Sequence, residues 1–219
     1  MEFPLIVATS GASGTVYAFR LLEFLLENNY RVEFVISISA LMVAKDEIGL
    51  KLSSNPDILK QQVLSYLKLN SSEVSLNVND FNDISAPVSS GSFRTSGMVI
   101  IPASMDTIAK IRSGITDNLI TRAADVCLKE KRKLVLVPRE MPLNSIHLEN
   151  MLGLSKLGAF IAPACPGFYH NPKHMSDLVD FVIGKVLDLL GIENSLFNRW
   201  KEKKVTTQVF LYDKNKTTN

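Results

Sequence analysis

The stretch Leu5-Ile6-Val7-Ala8-Thr9-Ser10-Gly11-Ala12-Ser13-Gly14-Thr15 decides the fold. Its first five residues have no polar alternation, the pattern of a strand buried on both faces. The Ser-Gly-Ala-Ser-Gly turn that follows opens a segment with helical spacing, 15–28. A buried strand feeding a helix through a glycine turn is the first half of a βαβ unit. The same reading recurs outward along the chain. Short apolar runs stand at 32–37, 98–102, 134–138 and 159–163, and helical spacing at 57–67, 105–113, 117–131, 146–157 and 177–190. Alternating strands and helices imply a parallel sheet covered on both faces. The expected fold is a doubly wound, mostly parallel α/β domain, Rossmann-like or flavodoxin-like, in three layers. Residues 1–205 read as one domain, and 206–219 as a polar tail that frays.

Composition bounds the function. The chain has 219 residues, 46% hydrophobic and 21% charged, with a net charge of +2, the profile of an ordinary globular domain. A domain of this size buries roughly 70% of the surface its unfolded chain exposes, so its core needs no disulfide or metal. Cys127 and Cys165 form no Cys-x-x-Cys pair, and His147, His170 and His174 lack ligand spacing, so no metal site is expected. The cysteine usage fits a reducing, cytoplasmic setting. Basic and acidic residues interleave, and the densest basic run, 129–133, is broken by Glu130. It reads as a solvated helix end, and no nucleic-acid partner is expected. The N-terminus lacks the positive region of a signal peptide. No apolar run approaches the about 20 residues that cross a membrane.

In a doubly wound sheet the ligand lies beyond the carboxyl ends of the strands, at the switch point. There Gly11 and Ala12 allow close backbone approach, while helix amides and the hydroxyls of Ser10 and Ser13 face a ligand, a phosphate-binding geometry. The turn is neither Gly-x-Gly-x-x-Gly nor a P-loop. Glu33 lies about 20 residues on, where a dinucleotide site places its ribose-binding acid. It falls inside the second strand, however, and Ser37 ends it, which favours a mononucleotide such as FMN over NAD.

Ser104, Met105, Asp106 and Thr107 form a second loop entering a helix, with Ser104 equally suited to cap it. Arg122 and Lys129 share a helix face, Arg139 ends a strand and Lys185 sits in an apolar helix. Four cations near one sheet edge would attract a phosphate, although Arg122 has Asp125 at ion-pair spacing. Glu140 beside Arg139 suits proton exchange or a plain ion pair. Tyr169 could bond a phosphate oxygen or simply pack. Trp200 could wall an apolar pocket or close the core. The polar segment 70–96, carrying Ser90 and Gly91, is longer than an idle loop.

Several motifs then match a known family. Thr9-Ser-Gly-Ala-Ser-Gly14, Ser89-Ser-Gly-Ser92, Ile120-Thr-Arg-Ala-Ala-Asp-Val126 with Lys129-Glu-Lys-Arg132, Val137-Pro-Arg-Glu140, His147-Leu-Glu-Asn-Met151 and Pro166-Gly-Phe-Tyr-His170 occur in order. From about residue 4 to residue 200 the chain strongly resembles the UbiX/Pad flavin prenyltransferases. The resemblance implies alkylation of reduced FMN at N5 and C6 by dimethylallyl phosphate, giving prenylated FMN for UbiD-type decarboxylases. It implies no metal, in keeping with the missing Asp-Asp-x-x-Asp motif, and a homododecamer with sites where subunits meet. Gly11, Ala12, Ser13, Ser37, Ser104, Met105, Asp106, Thr107 and Arg139 would hold FMN. Ser90, Gly91, Arg122, Lys129, Glu140, Tyr169, Lys185 and Trp200 would surround the prenyl phosphate, with Glu140, Lys129, Ser13 and Tyr169 taking part in catalysis. Lys185 stands where some relatives have arginine, which keeps the charge without the bidentate fork.

Two other readings stay open. Flavin-dependent cysteine decarboxylases resemble this protein in fold, but their Pro-x-Met-Asn-x-x-Met-Trp segment is absent, and Pro138-Arg-Glu-Met-Pro142 stands in its place. A non-catalytic FMN-binding module that serves a partner decarboxylase is the third.

Overall fold

The computed structural model describes residues 2–200. The tail expected at 206–219 therefore lies outside the described residues. The strands are β1 (Leu5–Thr9), β2 (Val32–Ile36), β3 (Leu76–Asn79), β4 (Gly97–Ala103), β5 (Leu134–Pro138) and β6 (Phe160–Ile161). They form one parallel sheet in the order β3-β2-β1-β4-β5-β6. That is the doubly wound order, with its switch point between β1 and β4. The helices are α1 (Thr15–Glu27), α2 (Ile38–Ile48), α3 (Pro56–Leu67), α4 (Met105–Arg112), α5 (Leu119–Lys129), α6 (Ser145–Lys156) and α7 (Met175–Leu190).

The continuous apolar runs follow from two cores. Successive strand side chains point to opposite faces. Leu5 and Val7 of β1 pack with α1, α3 and α7, whereas Ile6 and Ala8 pack with α4, α5 and α6. The three layers of the expected fold result.

Two elements differ from the expectation. β3 lies within the segment read as a long loop. It is a short edge strand whose inward residues are Leu76 and Val78, too few apolar positions for a pattern. α2 follows β2 with no break in apolar character. Ser37 makes the boundary, its hydroxyl accepting from the Ala40 amide at 3.1 Å.

The rest of the long segment has a path. Phe81 accepts a hydrogen bond from the Leu119 amide at the start of α5, and Arg132, just past the end of α5, donates to the Phe93 carbonyl at 2.8 Å. Phe81, Val88 and Phe93 pack into the α4–α6 core on the way. The segment thus descends beside α5 from the carboxyl edge of the sheet to its amino edge.

Candidate active site

At the switch point the turns after β1 and β4 are cross-linked by one side chain. Ser10 is buried, and its hydroxyl donates to the Pro102 carbonyl at 3.1 Å and accepts from the Ser104 amide at 2.7 Å. Of the two hydroxyls expected to face a ligand, Ser10 is thus turned inward and Ser13 alone is exposed. Gly11 is required by packing, since a Cβ there would meet the Ser39 hydroxyl. Ser39 in turn lies 3.0 Å from the Ser37 hydroxyl. Ser104 caps α4, accepting from Thr107 N at 3.3 Å and donating to the Thr107 hydroxyl at 3.0 Å. The first-turn amides of Met105 and Asp106 have no carbonyl of their own helix to bond, so they suit an anion. Asp106 itself points outward to Lys110, 3.6 Å away.

The N-terminus of α1 is already filled. Both oxygens of Glu47, near the end of α2, lie 2.9 Å from the Gly14 amide, and one also accepts from Thr15 N at 2.9 Å. Burial pushes this carboxyl up, but the bonds from the Ser13 hydroxyl and the Gly14 and Thr15 amides outweigh it and hold the group below its ordinary value. The expectation that the α1 amides face a phosphate is corrected accordingly. They face a carboxylate of the same chain, and the sequence holds no local signal of it.

Beside Glu47 opens a cleft of about 400 Å³ lined by Ser13, Tyr17, Ile48, Arg139, Ala164 and Met175, among others. Arg139 crosses its rim and donates from Nε to the Ser13 carbonyl at 3.0 Å. Tyr17 is a second lining residue that sequence reasoning missed. Burial, and then the nearby Cys165, push its phenol upward and keep it protonated. Glu140 follows Arg139, is exposed and accepts from the Met141 amide at 3.1 Å, and among the described residues it forms no ion pair with Arg139.

The remaining candidates lie elsewhere. Ser90, Gly91 and Lys129 stand at the amino edge of the sheet, where Lys133 O accepts from Met98 N near the start of β4. β4 alone has seven residues, so about 20 Å separates this edge from the crevice. Lys129 is exposed with no ion pair among the described residues, while Arg122, on the same helix, lies 3.6 Å from Asp125. Tyr169, Lys185 and Trp200 form a third group on the α7 side, across the sheet from α5. Tyr169 packs edge-on against Trp200 and Phe181, at ring distances of 5.4 and 5.7 Å. Lys185 lies 3.9 Å from Asp188, whose carboxyl is held low chiefly by Arg199 against the cost of burial. The four cations expected at one sheet edge are therefore spread over two edges and two faces, because strand direction and crossovers separate them.

A glycine–serine crevice at the switch point of a doubly wound sheet, with an arginine across its rim, is the place where proteins of this α/β class bind their ligands. Residues 1–187 match the Flavoprotein family model. The chain is 48% identical to the flavin prenyltransferase UbiX of Alkalihalophilus pseudofirmus over 202 residues, 92% of this chain and 98% of that protein. It is 46% identical to the UbiX of Pseudomonas aeruginosa over 197 residues, 90% of this chain and 93% of that protein. The chain belongs to the Flavoprotein family and, with these relatives, to the UbiX flavin prenyltransferases.

A UbiX protein solved in complex with FMN and dimethylallyl pyrophosphate is 39% identical, with a TM-score of 0.80 over 93% of this chain and all of that one. A structure from Escherichia coli O157:H7, described as a dodecameric FMN-dependent UbiX-like decarboxylase, is 42% identical with a TM-score of 0.78 over 91% of this chain and all of that one. A PPC decarboxylase, 18% identical with a TM-score of 0.55, shares the fold alone. Among the described residues no helix is long and apolar enough to cross a membrane, and no group of three or more His, Cys, Asp or Glu is placed to hold a metal ion.

Proposed function

We propose that this chain transfers a dimethylallyl group from dimethylallyl phosphate to reduced FMN and supplies the product to a UbiD-type decarboxylase. The observation that carries the reading is the cleft beside the turn after β1, lined by the exposed Ser13 and by Arg139, which is tied to the Ser13 carbonyl, with the exposed Glu140 next in sequence and in no ion pair among the described residues. The donor set fits FMN: Tyr17 and Ile48 give the cleft apolar walls, the Ser13 hydroxyl and the Arg139 guanidinium line it, and the first-turn amides of α4 have no carbonyl of their own helix to bond. Gly11 to Ser13, Ser37, Ser104 to Thr107 and Arg139 would hold it. The reduced flavin supplies the nucleophilic N5 and C6 positions.

The chain's own residues then act on the leaving group. As the allylic C–O bond breaks, its electron pair stays on phosphate. Arg122, Lys129 and Lys185, with the Ser90 and Tyr169 hydroxyls, meet that charge as it develops, which lowers the barrier most in a dry site. Glu140 takes the proton lost when C6 is alkylated, and Trp200 offers a π face to the developing allylic cation.

The separation of the three residue groups supports a site assembled from more than one subunit, since no single chain brings Lys129 to Ser13. Exposed Met141, Ile146, Leu148, Leu152 and Leu157 offer apolar surface for such assembly, here read as a homododecamer. We further read residues 1–205 as one domain, and the free Cys127 and Cys165 as fitting the cytoplasm.

The test is anaerobic. Purified protein, reduced FMN and dimethylallyl phosphate are mixed without metal, and the extracted flavin is weighed by mass spectrometry. A gain of one C5H8 unit is expected; an unchanged mass with flavin bound refutes transfer. Co-expressing Ser13→Ala and Lys129→Ala chains tests the shared site. Each variant alone should be impaired, and mixed oligomers should recover part of the activity.

A further inference from the structure

We propose that Arg132 is a positioning residue that fixes the Ser90–Gly91 turn against the end of α5, and so sets the spacing between that turn and Lys129. The inference rests on the function proposed above.

The segment 129–132 carries three cations with three different environments. Lys129 is exposed and makes no ion pair among the described residues. Lys131 turns outward with a left-handed backbone at φ 53°. Arg132 alone folds back. Its guanidinium donates through one terminal nitrogen to the Gly91 carbonyl, and through the other to the Phe93 carbonyl at 2.8 Å and the Thr95 hydroxyl at 3.3 Å. Its own amide donates to the Cys127 carbonyl at 2.8 Å, which locks Arg132 to the last turn of α5.

The turn it grips is closed on itself. Ser90 N donates to Pro87 O at 3.1 Å, Phe93 N to Ser90 O at 3.2 Å, and the Ser90 and Ser92 hydroxyls lie 2.9 Å apart. Glu130 supports it from the other side, its carboxylate filling the space that a Cβ on Gly91 would need. The turn therefore rides on the end of α5 that also carries Lys129. Arg132 has committed its terminal nitrogens to backbone and hydroxyl oxygens, so it shapes an anion site without serving as its ligand. Two carbonyls two residues apart are met by two nitrogens of one rigid plane, a geometry that a lysine ammonium lacks.

Charge and geometry can be separated by Arg132→Lys and Arg132→Gln in the full-length protein. Dimethylallyl phosphate is titrated by calorimetry into enzyme carrying oxidised FMN, where no transfer occurs; KM, kcat, FMN affinity and melting temperature are measured alongside. Arg132→Gln should weaken donor binding by about ten- to a hundredfold, since small misplacements of binding groups have effects of that size. Arg132→Lys should restore less than half of the loss on a logarithmic scale. FMN affinity should hold within about twofold, with the loss in KM rather than kcat. Donor affinity equal to wild type in either variant overturns the proposal.

Should Arg132→Gln fail to fold, Gly91→Ala displaces the same turn from the Glu130 side and should give the same KM loss; unchanged binding there overturns the proposal too. Wild-type protein that binds FMN but not the donor overturns the proposed function itself. Donor binding that falls with Lys129→Ala yet ignores Arg132 overturns only the positioning role.

Discussion

Both carboxylate oxygens of Glu47 lie 2.9 Å from the amide nitrogen of Gly14, placing an internal anion at the N-terminus of α1. Gly14 has φ 109°, a conformation that favours glycine and turns its amide toward α2. The crevice therefore has a fixed negative group beside its exposed serine, and the N-terminus of α1 is not available to a ligand phosphate.

This contact makes stability depend on pH. The Glu47 carboxyl is held below its ordinary value of 4.5 in the folded chain. Its stabilisation is therefore full above that value and is lost as pH falls through the lower, folded one. Glu47→Gln should lose about 1–2 kcal/mol near neutral pH, as for a partly buried carboxylate at a helix N-terminus. The difference from wild type should close in acid. Urea unfolding at fixed protein concentration across pH checks this, and a pH-independent difference would contradict it.

Arg20 joins α1 to α7 through Asp180 at 2.6 Å, with both side chains almost wholly buried. Asp180→Ala takes one of two carboxylates from a buried guanidinium that also pairs with Glu23 at 2.9 Å, and breaking a buried pair typically costs about 3–5 kcal/mol. Asp180→Ala should therefore shift the urea midpoint far more than Asp125→Ala, whose exposed pair with Arg122 is worth at most about 1 kcal/mol.

Gly97 opens β4 at φ 144°, and a Cβ there would lie 2.8 Å from the Lys133 carbonyl. The bond from Met98 N to that carbonyl, 2.8 Å, starts the β4–β5 pairing. Gly97→Ala should cost about 2 kcal/mol through strain and a displaced carbonyl, read as a lower melting temperature with flavin-binding residues unaltered. Gly114→Ala, at φ 70° with open space around it, separates backbone strain from collision.

Cys127 is buried on α5, and burial pushes its thiol up to about 12. Near pH 8 only about one molecule in ten thousand then carries the thiolate that reacts. A thiol-specific disulfide reagent should leave Cys127 unmodified in the native protein and label it in urea. Labelling of native Cys127 at the rate of an unburied thiol would mean that α5 opens readily.

How much was legible follows from where each signal resides. β1 and β5 match their expected bounds because uninterrupted apolar runs are what burial on both faces requires. β3 escaped because an edge strand with two inward apolar residues has no periodicity to read. Ser104 was recognisable as a cap, since capping is local chemistry. Ser10 was misread, because its turn inward depends on Pro102 and Ser104, more than ninety residues away.

The sequence by itself determined the alternation of strands and helices, the turn chemistry after β1 and β4, and the residue types of the family motifs, all carried by neighbours along the chain. Only the tertiary structure decided that Glu47 meets Gly14, that Arg139 bridges to Ser13 and that Lys129 stands at the opposite edge of the sheet. The reason is topological. A parallel sheet sends each helix back along the strand it follows, so residues that read as one cluster in sequence order are delivered to opposite edges and opposite faces.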